Sequence, residues 1–306
     1  MATPKKQQIQ IHQMTIGQFE ALFPTEEACR EYLAVNRWPD GVCCPRCGNT
    51  EVSLMTTKAQ HWQCYACSPS TSYRFSVLVG TIFENTNKPL RQWFRVMHLM
   101  LTSKKGVSAL QVMRYMGFGS YSTALNMCNK IRVALGNVEF KQLVGYVEVD
   151  ETFVGGKAKN KHKWPGDNGG TGGHGKAIVI GAVQRKGNVI ARVIDRVDSS
   201  TVCNFVREVV SHRVSLISTD EATAYHRLPQ AGFARWDYVA HSRDEYVAGA
   251  VHTNTIEGFW SPVKRGIIGT FHKVSAKYLP LYVNEFEFRY NNRKNADIFG
   301  AAIRAC

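Results

Sequence analysis

Two sets of residues in this 306-residue chain have the types and spacing to do chemistry. The first is Cys44-Pro-Arg-Cys47 and Cys64-Tyr-Ala-Cys67, two C-x2-C knuckles with 16 residues between them. Four thiolates complete a tetrahedral zinc site, and each knuckle turn delivers two of them. The spacing lies inside the zinc pattern, and a spaced pair of knuckles is far rarer than a lone C-x-x-C. One structural zinc ion is expected, and it lets a short segment fold without a large core. Cys29, Cys43, Cys128, Cys203 and Cys306 read as small core or surface residues.

The second set is acidic. Asp150 lies in the strand-like run Tyr146–Val154, Asp220 ends Leu216–Asp220, and Glu257 opens a helix after His252-Thr-Asn. An acid at the end of a buried strand is costly unless it is paired or binds a metal. Two such acids on neighbouring strands and one on a helix can hold two divalent ions about 4 Å apart, the arrangement that clamps both oxygens in phosphoryl transfer. Magnesium or manganese suits oxygen ligands of this kind. The residues alone leave alternatives open. Glu148 or Glu151 can replace Asp150, Asp195 or Asp198 can replace Asp220, and Glu257 can be an ordinary first-turn acid held by the helix dipole.

The elements that position these groups fall into blocks. Residues 1–36 form a helical lead-in, with Thr25 as an N-cap ahead of Glu26 and Glu27. Residues 37–88 form the zinc ribbon. In residues 89–143, helices over Gln92–Ser103, Ala109–Met116 and Ser122–Leu135, with a turn at Gly117-Phe-Gly119, give a helix-turn-helix pattern. Residues 144–306 are an α/β domain. Its strands are Val144–Phe153, Ala177–Gln184, Val189–Ile194, Val214–Thr219 and Arg235–Val239; its helices are Ser200–His212, one from Asn254 and one over Pro280–Arg293. Glu285 and Arg289 make an i,i+4 pair on the last of these.

Charge indicates the partner. Lys plus Arg number 38 against 24 Asp plus Glu, a formal net charge of +14. Half of that excess lies in residues 91–145, where Glu139 is the lone acid. Such a bias predicts a polyanion, double-stranded DNA before a membrane surface. Lys130 and Arg132 on the third helix, Lys157, Lys161 and Lys163 in the Gly-rich loop 157–176, and Lys264 and Arg265 past Glu257 are the expected DNA contacts. The longest clean apolar run, Ala177 to Val183, has strand length, so no membrane span is expected. The amino terminus has no apolar signal region, and nine cysteines argue for a reducing compartment.

The order of these motifs resembles the zinc-ribbon-bearing DDE transposases of bacterial insertion sequences, the ISXO-like family. The resemblance runs through Trp38-Pro-Asp-Gly, Cys44-Pro-Arg-Cys47-Gly48, Val149-Asp150-Glu151-Thr-Phe-Val-Gly155-Gly156-Lys157 and Ser218-Thr-Asp220. It continues through His252-Thr-Asn254-Thr-Ile-Glu257-Gly-Phe-Trp260, Lys264-Arg265-Gly266 and Glu285-Phe-Glu-Phe-Arg289-Tyr-Asn291-Asn292-Arg293. It implies a ribonuclease H-like catalytic domain in which Asp150, Asp220 and Glu257 are the catalytic acids and hold two magnesium or manganese ions. It implies DNA end cleavage and strand transfer, a dimer or larger assembly on DNA, and a cytoplasmic, nucleoid-associated bacterial protein. It also implies a basic residue at Lys264 that holds DNA near the metals. Pro262 departs from the pattern: inside the helix from Asn254 it removes a hydrogen bond and is expected to kink the chain. An inactive or repurposed zinc-ribbon DNA-binding protein is the alternative, and a ribonuclease H-like nuclease that cuts without joining is another.

Overall fold

The computed structural model describes residues 14–67, 70–136, 141–156, 175–239, 247 and 249–306. The chain divides into two units, Met1–Val138 with Lys294–Cys306, and Glu139–Arg293.

In the first unit, α1 (Ile16–Leu22) and α2 (Glu26–Arg37) start at Thr15 and Thr25, whose hydroxyls accept from Gln18 N and Ala28 N. A three-stranded antiparallel sheet follows: β1 (Ser53–Leu54), β2 (His61–Cys64) and β3 (Tyr73–Ser76). Trp38, Trp62 and Phe75 pack against one another and fill the small core of this region. Then come α3 (Leu90–Thr102), α4 (Ala109–Met116) and α5 (Tyr121–Leu135). Pro89 precedes α3 and cannot cap it with a side chain. The carboxylate of Glu26 does so instead, accepting from Leu90 N at 2.8 Å and Arg91 N at 3.0 Å. Gly117, at φ 66°, ends α4 in the left-handed region that favours glycine.

The second unit is a mixed α/β domain. Its strands are β4 (Tyr146–Val154), β5 (Ala177–Gln184), β6 (Val189–Ile194), β7 (Leu216–Asp220) and β8 (Trp236–Val239), in the sheet order β6-β5-β4-β7-β8. β4, β5 and β6 are antiparallel, while β7 runs parallel to β4 and β8 parallel to β7. α6 (Ser199–Val209) covers one face, where Val147, Val149, Ile180, Ala182 and Ile217 are buried. α7 (Asn254–Arg265) and α8 (Leu279–Asn291) cover the other, where Val154, Val179, Val183 and Ala191 are buried. Burial on both faces is why β5 reads as an unbroken apolar run.

α8 also closes one edge of the sheet. Asn291 bonds both the N–H and the carbonyl of Val189, and the Glu287 carboxylate accepts from Ala191 N. The outward backbone of β6 is thus satisfied by side chains where another strand would otherwise add.

Three expectations need correction. The segment after Arg293 was expected in the catalytic domain, but α9 (Ile298–Arg304) packs on α2 and α3, and Phe299 sits among Phe19, Phe23, Tyr32 and Phe94. A seven-residue helix with three large apolar side chains, Ile298, Phe299 and Ile303, goes to the nearest aromatic core, regardless of the strands that precede it. Pro262 was expected to kink the helix from Asn254, yet α7 runs through it to Arg265 and continues as a π-helical turn, Gly266–Phe271. Gly258, four residues back, is exposed, so its carbonyl faces water when the Pro262 N–H is lost. The positive charge of residues 91–145 is also less free than its count. Arg91 and Arg95 both pair with Glu20, and Arg132 is buried.

Burial pushes the Glu287 carboxyl up to about 7, against the pull of Ala191 N–H and Arg192. A carboxyl whose pKa is raised by folding keeps its proton where the unfolded chain has lost it. Its contribution to stability is therefore whole in acid and falls as pH rises from about 4.5 to 7. Glu287→Gln is expected to flatten the decline of melting temperature over that window, read by calorimetry; identical slopes in the two proteins would refute it.

Candidate active site and zinc centre

In the ribbon, Gly48 N bonds Cys44 O and Cys44 N bonds Asn49 O, closing the first knuckle. Cys64 ends β2 and Cys67 follows in the next turn. The sulfurs of Cys44 and Cys67 lie 3.6 Å apart and those of Cys47 and Cys64 3.7 Å apart, with all four within 4.8 Å of one another. A tetrahedron with Zn–S of about 2.3 Å has edges of about 3.8 Å, so the four thiols fit a zinc ion with little movement. Among the described residues they are the one group of three or more Cys, His, Asp or Glu that converges so tightly.

The carboxylates are placed by the sheet. Glu148 on β4 pairs with Ser218 on β7 in parallel register. Two residues further along the two strands come Asp150 and Asp220, just past the last paired positions. Even-numbered residues of both strands face α7, because odd-numbered Val147, Val149 and Ile217 lie in the opposite core. Glu257 is on α7, which packs over β4 and β5. Asp150 and Asp220 therefore share a face, and Glu257 lies on the helix that packs over it, but among the described residues the three acids do not converge as the four thiols do. Glu257 is exposed and accepts from the Thr253 hydroxyl at 3.0 Å; Asp220 accepts from Ala222 N at 3.0 Å.

Asp150 is fixed by the Trp260 indole, whose Nε1 donates to Oδ2 at 3.0 Å. Burial pushes the Asp150 carboxyl up to about 7, and the negative charges of Glu151 and Asp220 add to the rise. Gly181 lies directly across from Asp150 on β5. A Cβ there would stand 2.8 Å from the Trp260 ring, so only glycine lets α7 come down onto the sheet and deliver that indole.

The alternatives to Asp150 have separate positions. Glu151 points to the other face, as strand alternation requires, where the buried Tyr225 hydroxyl donates to it. Burial first, and then Asp220, raises its carboxyl above the usual range, while Tyr225 pulls it down. Glu148 shares the face of Asp150 but is fully buried and fully engaged. It accepts from Thr255 N at 2.7 Å, Ile256 N at 3.0 Å and the Thr255 hydroxyl at 2.8 Å. Arg185 Nε lies 2.6 Å and His252 Nδ1 3.1 Å from Oε1. Arg185 also donates to the carbonyls of Ala250 and His252. Glu148 is thus the cap of α7, at a helix start where Thr253 makes no side-chain cap of its own.

The expected DNA contacts divide. Lys130 is exposed on α5, on the same side as Ser122 and Asn126, and Lys264 and Arg265 are exposed at the end of α7. Arg132 is only 1% exposed and donates to Asn129 Oδ1, so it does not face a phosphate in this structure. It falls four residues after Cys128 on the buried side of α5, a periodicity that outweighs its charge. Lys157, Lys161 and Lys163 lie outside the described residues. Sequence reasoning missed the parts played by Glu148, Trp260, Thr253, Tyr225 and Gly181. A sign was available for Glu148 alone: an acid inside an otherwise apolar strand must have partners.

A mixed α/β unit with strand-borne carboxylates, behind a four-cysteine ribbon, defines a class of two-part metalloproteins. Comparison with known families makes it specific. Residues 142–291 match the ISXO2-like transposase domain, and residues 24–70 match the transposase zinc-ribbon domain. The two matches lie one after the other along the chain, the ribbon first. A Halobacterium salinarum protein described as an uncharacterized protein in transposable element ISH50 is 26% identical over 277 residues, covering 87% of this chain and 91% of the relative. Among the described residues, no helix is long and apolar enough to cross a membrane.

Two outcomes test the site. Purified protein is expected to carry one zinc per chain by metal analysis, and Cys64→Ser to lose it; zinc kept by that variant would rule out the four-thiol centre. Glu148→Ala leaves Arg185 and two helix N–H groups without an acceptor, and should cost about 3–5 kcal/mol of stability in urea unfolding. A loss below about 1 kcal/mol would show that Glu148 does not tie α7 to the sheet.

Proposed function

We propose that this protein is a DNA transposase that binds the ends of its element, cleaves the phosphodiester there and joins the freed 3′ end to target DNA. The observation that carries the reading is that Asp150 and Asp220 lie on adjacent parallel strands, each two residues past a paired position, and that α7, which bears Glu257, packs over the first of these strands. The sheet order, three antiparallel strands followed by two parallel ones with β4 central, supports a ribonuclease H-like domain. The match to a transposase domain supports the reaction class.

The donor set fits divalent metal. Asp150 holds its proton up to about 7 partly because Glu151 and Asp220 repel its charge, and a hard cation relieves that repulsion. Asp150, Asp220 and Glu257 would hold magnesium or manganese, two ions in this reading, while Cys44, Cys47, Cys64 and Cys67 would hold zinc. Bound divalent ions supply Lewis acidity and an activated water or hydroxyl at the phosphodiester. The chain's own residues do the rest. Trp260 sets the direction of the Asp150 carboxylate, and Thr253 that of Glu257. Lys264 and Arg265, exposed at the last turn of α7, meet backbone phosphates.

In the first unit, α4 and α5 act as a helix-turn-helix, with Ser122, Asn126 and Lys130 exposed along α5 to meet DNA and Arg114 exposed on α4. Lys157, Lys161 and Lys163 are further contacts in this reading. Joining two element ends takes two active sites, so the working form is at least a dimer on DNA, acting in the cytoplasm at the nucleoid. The binding-only alternative rested on a helix broken at Pro262, and α7 is not broken there.

The test is a cleavage and joining assay on labelled duplexes carrying the element's own ends, with magnesium or manganese. Wild-type protein should release a 3′ end and join it, and Asp220→Ala and Glu257→Gln should each lose at least about 10²-fold. Cutting without joining would reduce the protein to a nuclease. Tight binding with no cutting, in folded protein, would make it a binding protein.

A further inference from the structure

We propose that a pocket at the amino-terminal ends of β7 and β8 binds a backbone phosphate of DNA through Arg213, Arg235 and His212. The proposal rests on the transposase reading and adds a contact at the end of the sheet away from the carboxylates. The pocket has a volume of about 440 Å3. Arg213 lies just ahead of β7 and Arg235 just ahead of β8, whereas Asp220 closes β7 at its other end.

Both guanidinium groups belong to exposed residues, and neither forms an ion pair among the described residues. Arg196 in the same unit, by contrast, pairs with Asp198. The imidazole that lines the same pocket is held in place. His212 stacks on the buried ring of Phe233, centroids 4.8 Å apart and planes 12° apart. It rests over Gly232, whose φ is +100° and where a Cβ would stand 3.2 Å from His212 Cε1. Two planar guanidinium forks and one fixed ring N–H make a donor set for a tetrahedral oxyanion, with no carboxylate among the pocket's lining residues to repel it.

The spacing favours DNA as the source of that oxyanion. Arg213 stands seven residues before Asp220, at most about 23 Å of extended chain, and phosphates recur about every 3.4 Å along each strand of a duplex. A duplex lying along the strands with one phosphodiester at the Asp220 end thus carries another phosphate to the pocket. The contact reads no sequence; it sets the angle of the duplex across the catalytic unit.

The experiment measures affinity for a duplex of arbitrary sequence across a salt series. It compares wild-type full-length protein, the double variant Arg213→Ala/Arg235→Ala, and Arg196→Ala, which removes an exposed cation elsewhere. The double variant should lower the slope of log affinity against log salt by about 1 to 2, with Arg196→Ala unchanged. In parallel, the His212 ring resonance is followed while inorganic phosphate is added. An unchanged slope in the double variant, with wild type binding normally, overturns the proposal but leaves the transposase reading intact. Equal loss in Arg196→Ala also overturns it, since net charge alone would then explain the effect. Saturation of His212 by submillimolar phosphate with an unchanged DNA slope would make the pocket a free-anion site and overturn its assignment to DNA. Failure of wild type to bind the duplex at all would overturn both readings.

Discussion

One buried carboxylate holds the catalytic unit in register. Glu148 is the group through which β4, the β5–β6 hairpin, the segment before α7 and α7 itself meet. A lone ionised carboxylate in a protein core is very costly, so it must be surrounded by donors. Here the donors are an arginine from the hairpin turn, the Thr255 hydroxyl and the first N–H groups of α7. Satisfying one acid therefore fixes the hairpin and α7 against β4, and Arg185 ties in the segment before α7 through the carbonyls of Ala250 and His252. The position of Glu257 along α7 follows from that anchor. So does the reach of the Trp260 indole to Asp150, which the missing side chain at Gly181 makes sterically possible.

The order of the elements and the location of the four-cysteine cluster were legible in the chain, because alternation, helical periodicity and knuckle spacing are local. Thr25 as a cap and the strand positions of Asp150 and Asp220 needed only neighbouring residues. What was illegible came from distant pairs. Glu148 and Asp150 are two residues apart on one strand face, so alternation cannot separate them. Only their partners do, since the donors to Glu148 stand more than 100 residues later in α7 while Asp150 has one indole. The same holds in the first unit, where Glu26 caps α3 from 64 residues away. Charge counting failed for a related reason. Arg91 and Arg95 read as free cations until Glu20, some 70 residues earlier, folds against them. The last helix escaped because a short apolar segment carries no mark of which core it will join.

The closure of β6 by α8 has a consequence for how the protein survives its own fluctuations. Asn291 and Glu287 occupy the backbone positions that a foreign strand would seek, while β8, at the far edge, pairs only with β7 among the described residues. The sheet is therefore shielded on one flank by the side chains of a packed helix rather than by another strand. When α8 lifts, the molecule bares an apolar strand with unmet N–H and carbonyl groups. That transient form is self-adhesive, and its danger grows with the number of copies nearby. The docking of a single helix thus stands between this folded sheet and self-association through its edge.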